Sequence, residues 1–263
     1  FSSEKSVPLL GNVMASRWAY EGLAVTQFMD NAYEREFYAL DQRMKTANWK
    51  KDLWVRELEN SAGNARRVVQ GYPESVDLEY ELQLLRTELT KESEQLEGFA
   101  FSGIDNLTTH RINEDVLDDV LASLDVLTFH YRSVYRSAEE EKEKLIAKMT
   151  ATPDSRQHYF VLLDRYRNQS LADVVTNKND VNVIVADHGE LVQKNDPIYL
   201  EPVRNGFFGA QFYAPAKWLA GVRIPTVWAN TAVLWGMALL LGLTLYFEAF
   251  PKLLKLIPSR SDR

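Results

Sequence analysis

From Val227 to Phe250 the chain is apolar except at Asn230, Thr231, Thr244 and Glu248. An α-helix rises about 1.5 Å per residue, so roughly 20 such residues cross a hydrocarbon core. The pattern therefore predicts a transmembrane helix over 226–250. Trp228 and Tyr246 near its ends suit interfacial positions. Lys252, Lys255, Arg260 and Arg263 follow the run, and Lys217 and Arg223 precede it. That bias puts the C-terminus on the cytoplasmic side and the rest of the chain outside, which in a bacterium is the periplasm. Glu248 is close enough to the inner end to reach the interface. After Pro251, KLLKLI resembles a short amphipathic segment lying on the membrane surface.

From about Tyr38 to Thr176 the hydrophobic period is helical. Leu78, Leu82, Leu85, Leu89 and Leu96 share one face, with Glu and Lys between them. Phe99 to Asn113 carries Gly103, Asp105, Asn106 and Thr108 and predicts a connection. Asn113 is the expected N-cap of a helix of more than 30 residues ending near Thr150. Its stripe runs through Val116, Val120, Leu124, Leu127, Tyr131, Val134, Ala138 and Leu145. The charge run Ala138–Leu145 predicts a solvated helix face. Pro153 opens a further helix, and an antiparallel helical hairpin or small bundle is the simplest arrangement. From Asp180 the period shortens, and VNVIVADHGELV predicts short strands around a turn at Asp187, His188 and Gly189. The aromatic stretch Phe207–Leu219, with Pro215 inside it, predicts a connector at the membrane surface.

Composition narrows the function. The 263 residues carry a formal charge of −7 and no clustered basic face, which argues against nucleic acid as a partner. There is no cysteine, so disulfides, thiolate metal sites and cysteine nucleophiles are excluded. The opening FSSEKSVP has neither Met nor a signal-peptide pattern and predicts a chain trimmed from, or part of, a longer one. His110, His130, His158 and His188 show no close metal-ligand spacing, and no metal site is expected. GxSxG, P-loop and GxGxxG patterns are absent. Asp118 with Asp119, or Glu139 to Glu141, are the only candidate paired acids, and on amphipathic helices such residues are ordinarily surface groups. No catalytic site is expected in this chain.

MASRWAYEGLAVTQFMDN, Met14 to Asn31, resembles a segment of the membrane domain of G-subfamily-type ABC exporters. Ser16, Arg17, Trp18, Tyr20, Glu21, Leu23, Gln27 and Phe28 carry the resemblance. In that family it implies short re-entrant helices on the outer side, between the fifth and sixth membrane helices. The order DPIYLEP (Asp196–Pro202), GAQFYAP (Gly209–Pro215) and a helix beginning near TVWAN is similar to the end of large Bacteroidetes-type permeases with a long helical insertion before the last membrane helix. The resemblance is thinner through the helical middle. The chain lacks Walker A, Walker B and the LSGGQ-type signature and the first five membrane helices, so ATP hydrolysis would belong to an ATP-binding cassette upstream or on a partner.

The expected fold is therefore mainly α: amphipathic or re-entrant helices, an extracytoplasmic helical hairpin or bundle with a small β element, and one C-terminal transmembrane helix. The expected division is 1–37 membrane-proximal, 38–206 extracytoplasmic and helical, 207–225 interfacial connector, 226–250 transmembrane, and 251–263 cytoplasmic tail. The resemblance implies a homodimeric exporter of a lipidic or hydrophobic substrate in a bacterial inner membrane. ATP and Mg would be needed by the complete transporter, and no cofactor by this chain. Arg17 and Glu21, four residues apart, can pair on one helix face. Together with Trp18, Tyr20 and Phe28 they form a candidate exit gate, or else pack against neighbouring membrane helices. The alternative is a single-pass, membrane-anchored helical adaptor of the envelope. A membrane-anchored hydrolase is a third reading, and it requires His158 or His188 to meet carboxylates.

Overall fold

The computed structural model describes residues 9–72, 76–202, 210–248 and 252. The chain is mainly helical, with two small antiparallel hairpins, and divides into two units. One unit is helical and takes in residues 28–200. The other combines residues 6–27 with 201–263. The dividing point falls inside a single helix, α2 (Ala15–Met29).

In the helical unit, α3 (Glu34–Trp49) passes through a π turn at Lys50–Trp54 into α4 (Val55–Val69). Asn31 starts α3, its side-chain oxygen accepting from the amides of Tyr33 and Glu34. α5 (Leu78–Gln95) packs on α4, and α6 (Glu114–Met149) packs along α3, the π turn and α4. The leucine period holds: Leu82, Leu85 and Leu89 are buried against Leu58 and Ala62 of α4 and Leu117, Val120, Leu124 and Leu127 of α6. Two charged residues share that face of α5. Glu88 accepts from Trp54 Nε1 at 2.7 Å and from the Leu191 amide at 3.1 Å, while Glu92 is held by Lys50 and Tyr131. Each buried carboxylate thus has donors, which is the condition for tolerating it there.

Asn113 caps α6, accepting from the Val116 amide at 2.9 Å. The helix runs to Met149, as its stripe predicts. Thr152 and Ser155 form a capping box around Pro153 and start α7 (Pro153–Tyr166). α8 (Gln169–Val175) follows. The charge run on α6 is not wholly solvated. Ala138 is buried, Glu141 pairs with Arg43 and Lys142 pairs with Asp41 of α3. Strands β1 (Ile184–Asp187) and β2 (Glu190–Gln193) meet at the expected turn, where His188 and Gly189 both take positive φ. Two such residues make the tight connection whose twist suits a hairpin.

The second unit holds α1 (Leu9–Val13), α2 (Ala15–Met29) up to Gln27, and the C-terminal elements. There, part of the expected interfacial connector is a second hairpin, β3 (Ala216–Leu219) with β4 (Val222–Pro225), turning at Ala220 and Gly221. Residues 207–209 of that connector lie outside the described residues. β4 runs directly into α9 (Thr226–Tyr246). This 21-residue helix is long and apolar enough to cross a membrane. Only Thr226, Ala229 and Asn230 are buried, at its first turns; Trp235, Leu239, Leu241 and Leu245 are exposed. Such a surface needs lipid or other helices as its surroundings. α9 ends at Tyr246, and Glu248 follows in left-handed backbone. The amphipathic segment expected after Pro251 lies outside the described residues, apart from Lys252.

Candidate functional site

The second unit contains a buried ionic cluster centred on Glu21. α2 presents Trp18, Glu21, Gly22 and Val25 inward at three- and four-residue spacing and leaves Tyr20, Leu23 and Gln27 exposed. Glu21 is 0% exposed. It receives Lys217 Nζ of β3 at 2.9 and 3.0 Å, with Lys217 itself 1% exposed. Asn230 of α9 donates Nδ2 to Glu21 Oε2 and to the Trp18 carbonyl, both at 2.9 Å. Arg17 stands 3.7 Å from Glu21, which gives the expected i,i+4 pair, and donates to Asn12 Oδ1 at 2.8 Å. Trp18 completes the cluster. Its Nε1 donates to the Asn12 carbonyl, Arg17 lies 4.1 Å from its ring centre and Lys217 lies 4.8 Å from it.

Two cations therefore share one buried carboxylate. Burial pulls the Lys217 ammonium below its ordinary pKa, and the Glu21 charge pulls it back up. Removing both partners from water is costly, and the pair is retained because each ion is satisfied by charge and hydrogen bonds together. The cluster ties α2, β3 and the first turns of α9 into one body.

The sequence readings fare unequally at this site. Arg17, Trp18 and Glu21 come together. Tyr20 sits on the adjoining exposed face, stacked with Phe212 at 6.4 Å and edge-on to Tyr213 at 6.3 Å. Phe28 belongs instead to the helical unit, where it meets Tyr199 edge-on at 6.0 Å. Lys217, read from the sequence only as a charge preceding the apolar run, is buried against Glu21. The partners Lys217 and Asn230 escape a sequence reading, though each carries a signal. Lys217 is the single charge in the stretch 207–219, and Asn230 is the most polar group at the head of the apolar run. Isolated polar groups in apolar surroundings need partners.

Of the other candidate groups, Asp118 is held by Arg66, and His188 does meet a carboxylate, 2.6 Å away on its sequence neighbour Asp187, but on a turn where its ring is almost fully exposed. Among the described residues no group of three His, Asp or Glu side chains could hold a metal ion. No protein-family model, curated protein or solved structure matches this chain.

Proposed function

We propose that this chain forms the outer domain and the last transmembrane helix of an ATP-driven exporter of the ABC type, acting as a homodimer on a lipidic or hydrophobic substrate. The observation that carries the reading is the attachment of α2 to the head of α9 through Glu21, Lys217 and Asn230. α2 holds the stretch that resembles the outer re-entrant segment of such permeases. The buried ionic lock would hold that segment at the outer end of the final span. With α9 crossing the bacterial inner membrane and its C-terminal end in the cytoplasm, the helical unit stands in the periplasm. ATP and Mg act on a cassette elsewhere in the same chain or on a partner. Binding of ATP there would shift the membrane domains between inward- and outward-facing states, with no chemistry in the residues described.

The test is the intact mass of the protein taken from its native membrane, with ATPase activity measured on the same sample. A mass well above 30.2 kDa, or a co-purifying ATP-binding subunit, together with ATP hydrolysis, is the expected result. A mass near 30.2 kDa with no such subunit and no hydrolysis overturns the proposal and favours a membrane-anchored adaptor.

A further inference from the structure

The long helix α6 has two contrasting faces. Leu117, Val120, Leu124 and Leu127 are buried in the core with α4. On the opposite side Ala122, Val126, Phe129 and Ser133 follow one another at four-, three- and four-residue spacing, the period of a helix-packing seam. All four are exposed, Val126 at 61% and Phe129 at 76%. Exposed apolar residues taken singly are ordinary. The charges around this stripe are what give it meaning.

Asp115 and Asp119 continue the seam toward the start of α6, and Arg132 and Arg136 stand toward its end. All four are exposed, and each pair is spaced i,i+4, where like charges repel on a helix. Among the described residues Asp119, Arg132 and Arg136 make no ion pair within 4.0 Å. The stripe is thus acidic at one end, apolar in the middle and basic at the other. Such a surface is complementary to itself when reversed. A two-fold axis between Leu127 and Thr128 sets Val126 of one copy against Phe129 of the other, Ala122 against Ser133, and Asp119 against Arg136. Every pair then occurs twice. On one flank, Asp125 and Arg132 come opposite each other in the same arrangement. The next layer outward would put Asp115 against Glu140, which are like-charged, so the pairing closes at 119–136. A parallel pairing fails earlier, because it stacks Asp119 on Asp119 and Arg136 on Arg136.

We infer that the exposed face of α6 pairs antiparallel with the same face of a second copy of this chain. The charge order selects the occupant: two copies relieve the repulsion at both ends, and both apolar stripes leave water together. The seam is short beside the roughly 20–30 residues a side of a stable interface. The contact is therefore weak by itself and belongs to copies held close together, as in one membrane. The inference goes beyond the transport reading and rests on α6 alone.

The test is cysteine cross-linking of the full chain in its native membrane, where the lack of any native cysteine leaves a clean background. Helix axes about 9 Å apart, with Cα atoms about 2.3 Å from each axis, bring facing Cα atoms to about 5 Å. That is within reach of a disulfide. Ala122→Cys and Ser133→Cys chains, carrying different tags and made in the same cells, are expected to join under mild oxidation. Each made alone should give several-fold less, because its two copies of that position lie on opposite sides of the two-fold axis. In the mixed sample, Asp119→Arg or Arg136→Asp placed in both chains should lower the yield at least about threefold, since each alters two symmetry-related pairs. The two changes together should restore it. Circular dichroism checks that these exposed substitutions leave the fold intact. Ala122→Cys joining to itself as readily as to Ser133→Cys overturns the inference, as do no cross-link at all and an adduct with a different protein. So does a yield that neither charge change alters. The readout is confined to α6, so its failure leaves the mass and ATPase results untouched.

Discussion

At the scale of single residues, Glu21 decides most. It is the sole carboxylate in a cluster with Lys217, Arg17 and Asn230, so the cost of losing each member differs. Glu21→Gln removes the only negative charge and leaves two cations facing each other out of water. Breaking a buried pair from one side costs about 3–5 kcal/mol. Lys217→Met removes one cation, but Arg17, already 3.7 Å from the carboxylate, can take over part of its role. Its side chain also fills the space with apolar volume. The expected order of thermal stability in detergent is therefore parent, then Lys217→Met, then Glu21→Gln. Equal loss in both variants would mean that Arg17 is no substitute and that the cluster is a simple pair. Asn230 plays a different part. Its two donor hydrogens are used, but its side-chain oxygen is buried without a partner. That shortfall is the cost of putting an amide at the head of an apolar helix.

At the scale of elements, local chemistry sets most boundaries, and α6 shows how strongly. A 36-residue helix begins where Asn113, in extended backbone, offers its side-chain oxygen to the Val116 amide. Asn113→Ala should lower the unfolding free energy by about 1 kcal/mol. Denaturant unfolding would measure it, and no change would show that tertiary packing alone fixes the start of α6. This cap, the α5 leucines, Pro153 and the turn at His188–Gly189 were legible in the sequence because each acts over a few residues. Other features were not. The π turn at Lys50–Trp54 leaves no mark in the hydrophobic period, although it helps set where Trp54 points, into the core to donate to Glu88. The β3–β4 hairpin turns at Ala220–Gly221, and Ala is a poor signal for positive φ where Asn or Asp would have announced the turn. Half of the ionic cluster was legible as well. Arg17 and Glu21 are neighbours on one helix, but Glu21 and Lys217 are 196 positions apart, and only the folded chain makes them partners.

At the scale of the whole molecule, the question is which side of a membrane each part occupies. α9 has about the right length, roughly 32 Å at 1.5 Å per residue, and an apolar surface that the rest of the chain leaves uncovered. The direction proposed for it rests on charge. Lys252 and the basic residues after it favour the cytoplasm for the C-terminal end. The absence of cysteine makes the orientation directly measurable. Gln157→Cys places a thiol on exposed α7 of the helical unit, and Lys252→Cys places one just past α9. In spheroplasts, a membrane-impermeant maleimide should label the first without lysis and the second only after lysis. Labelling of both before lysis would mean that α9 does not cross the membrane. The reverse pattern would put the helical unit in the cytoplasm, where an outer domain has no place and the exporter reading would fail with it.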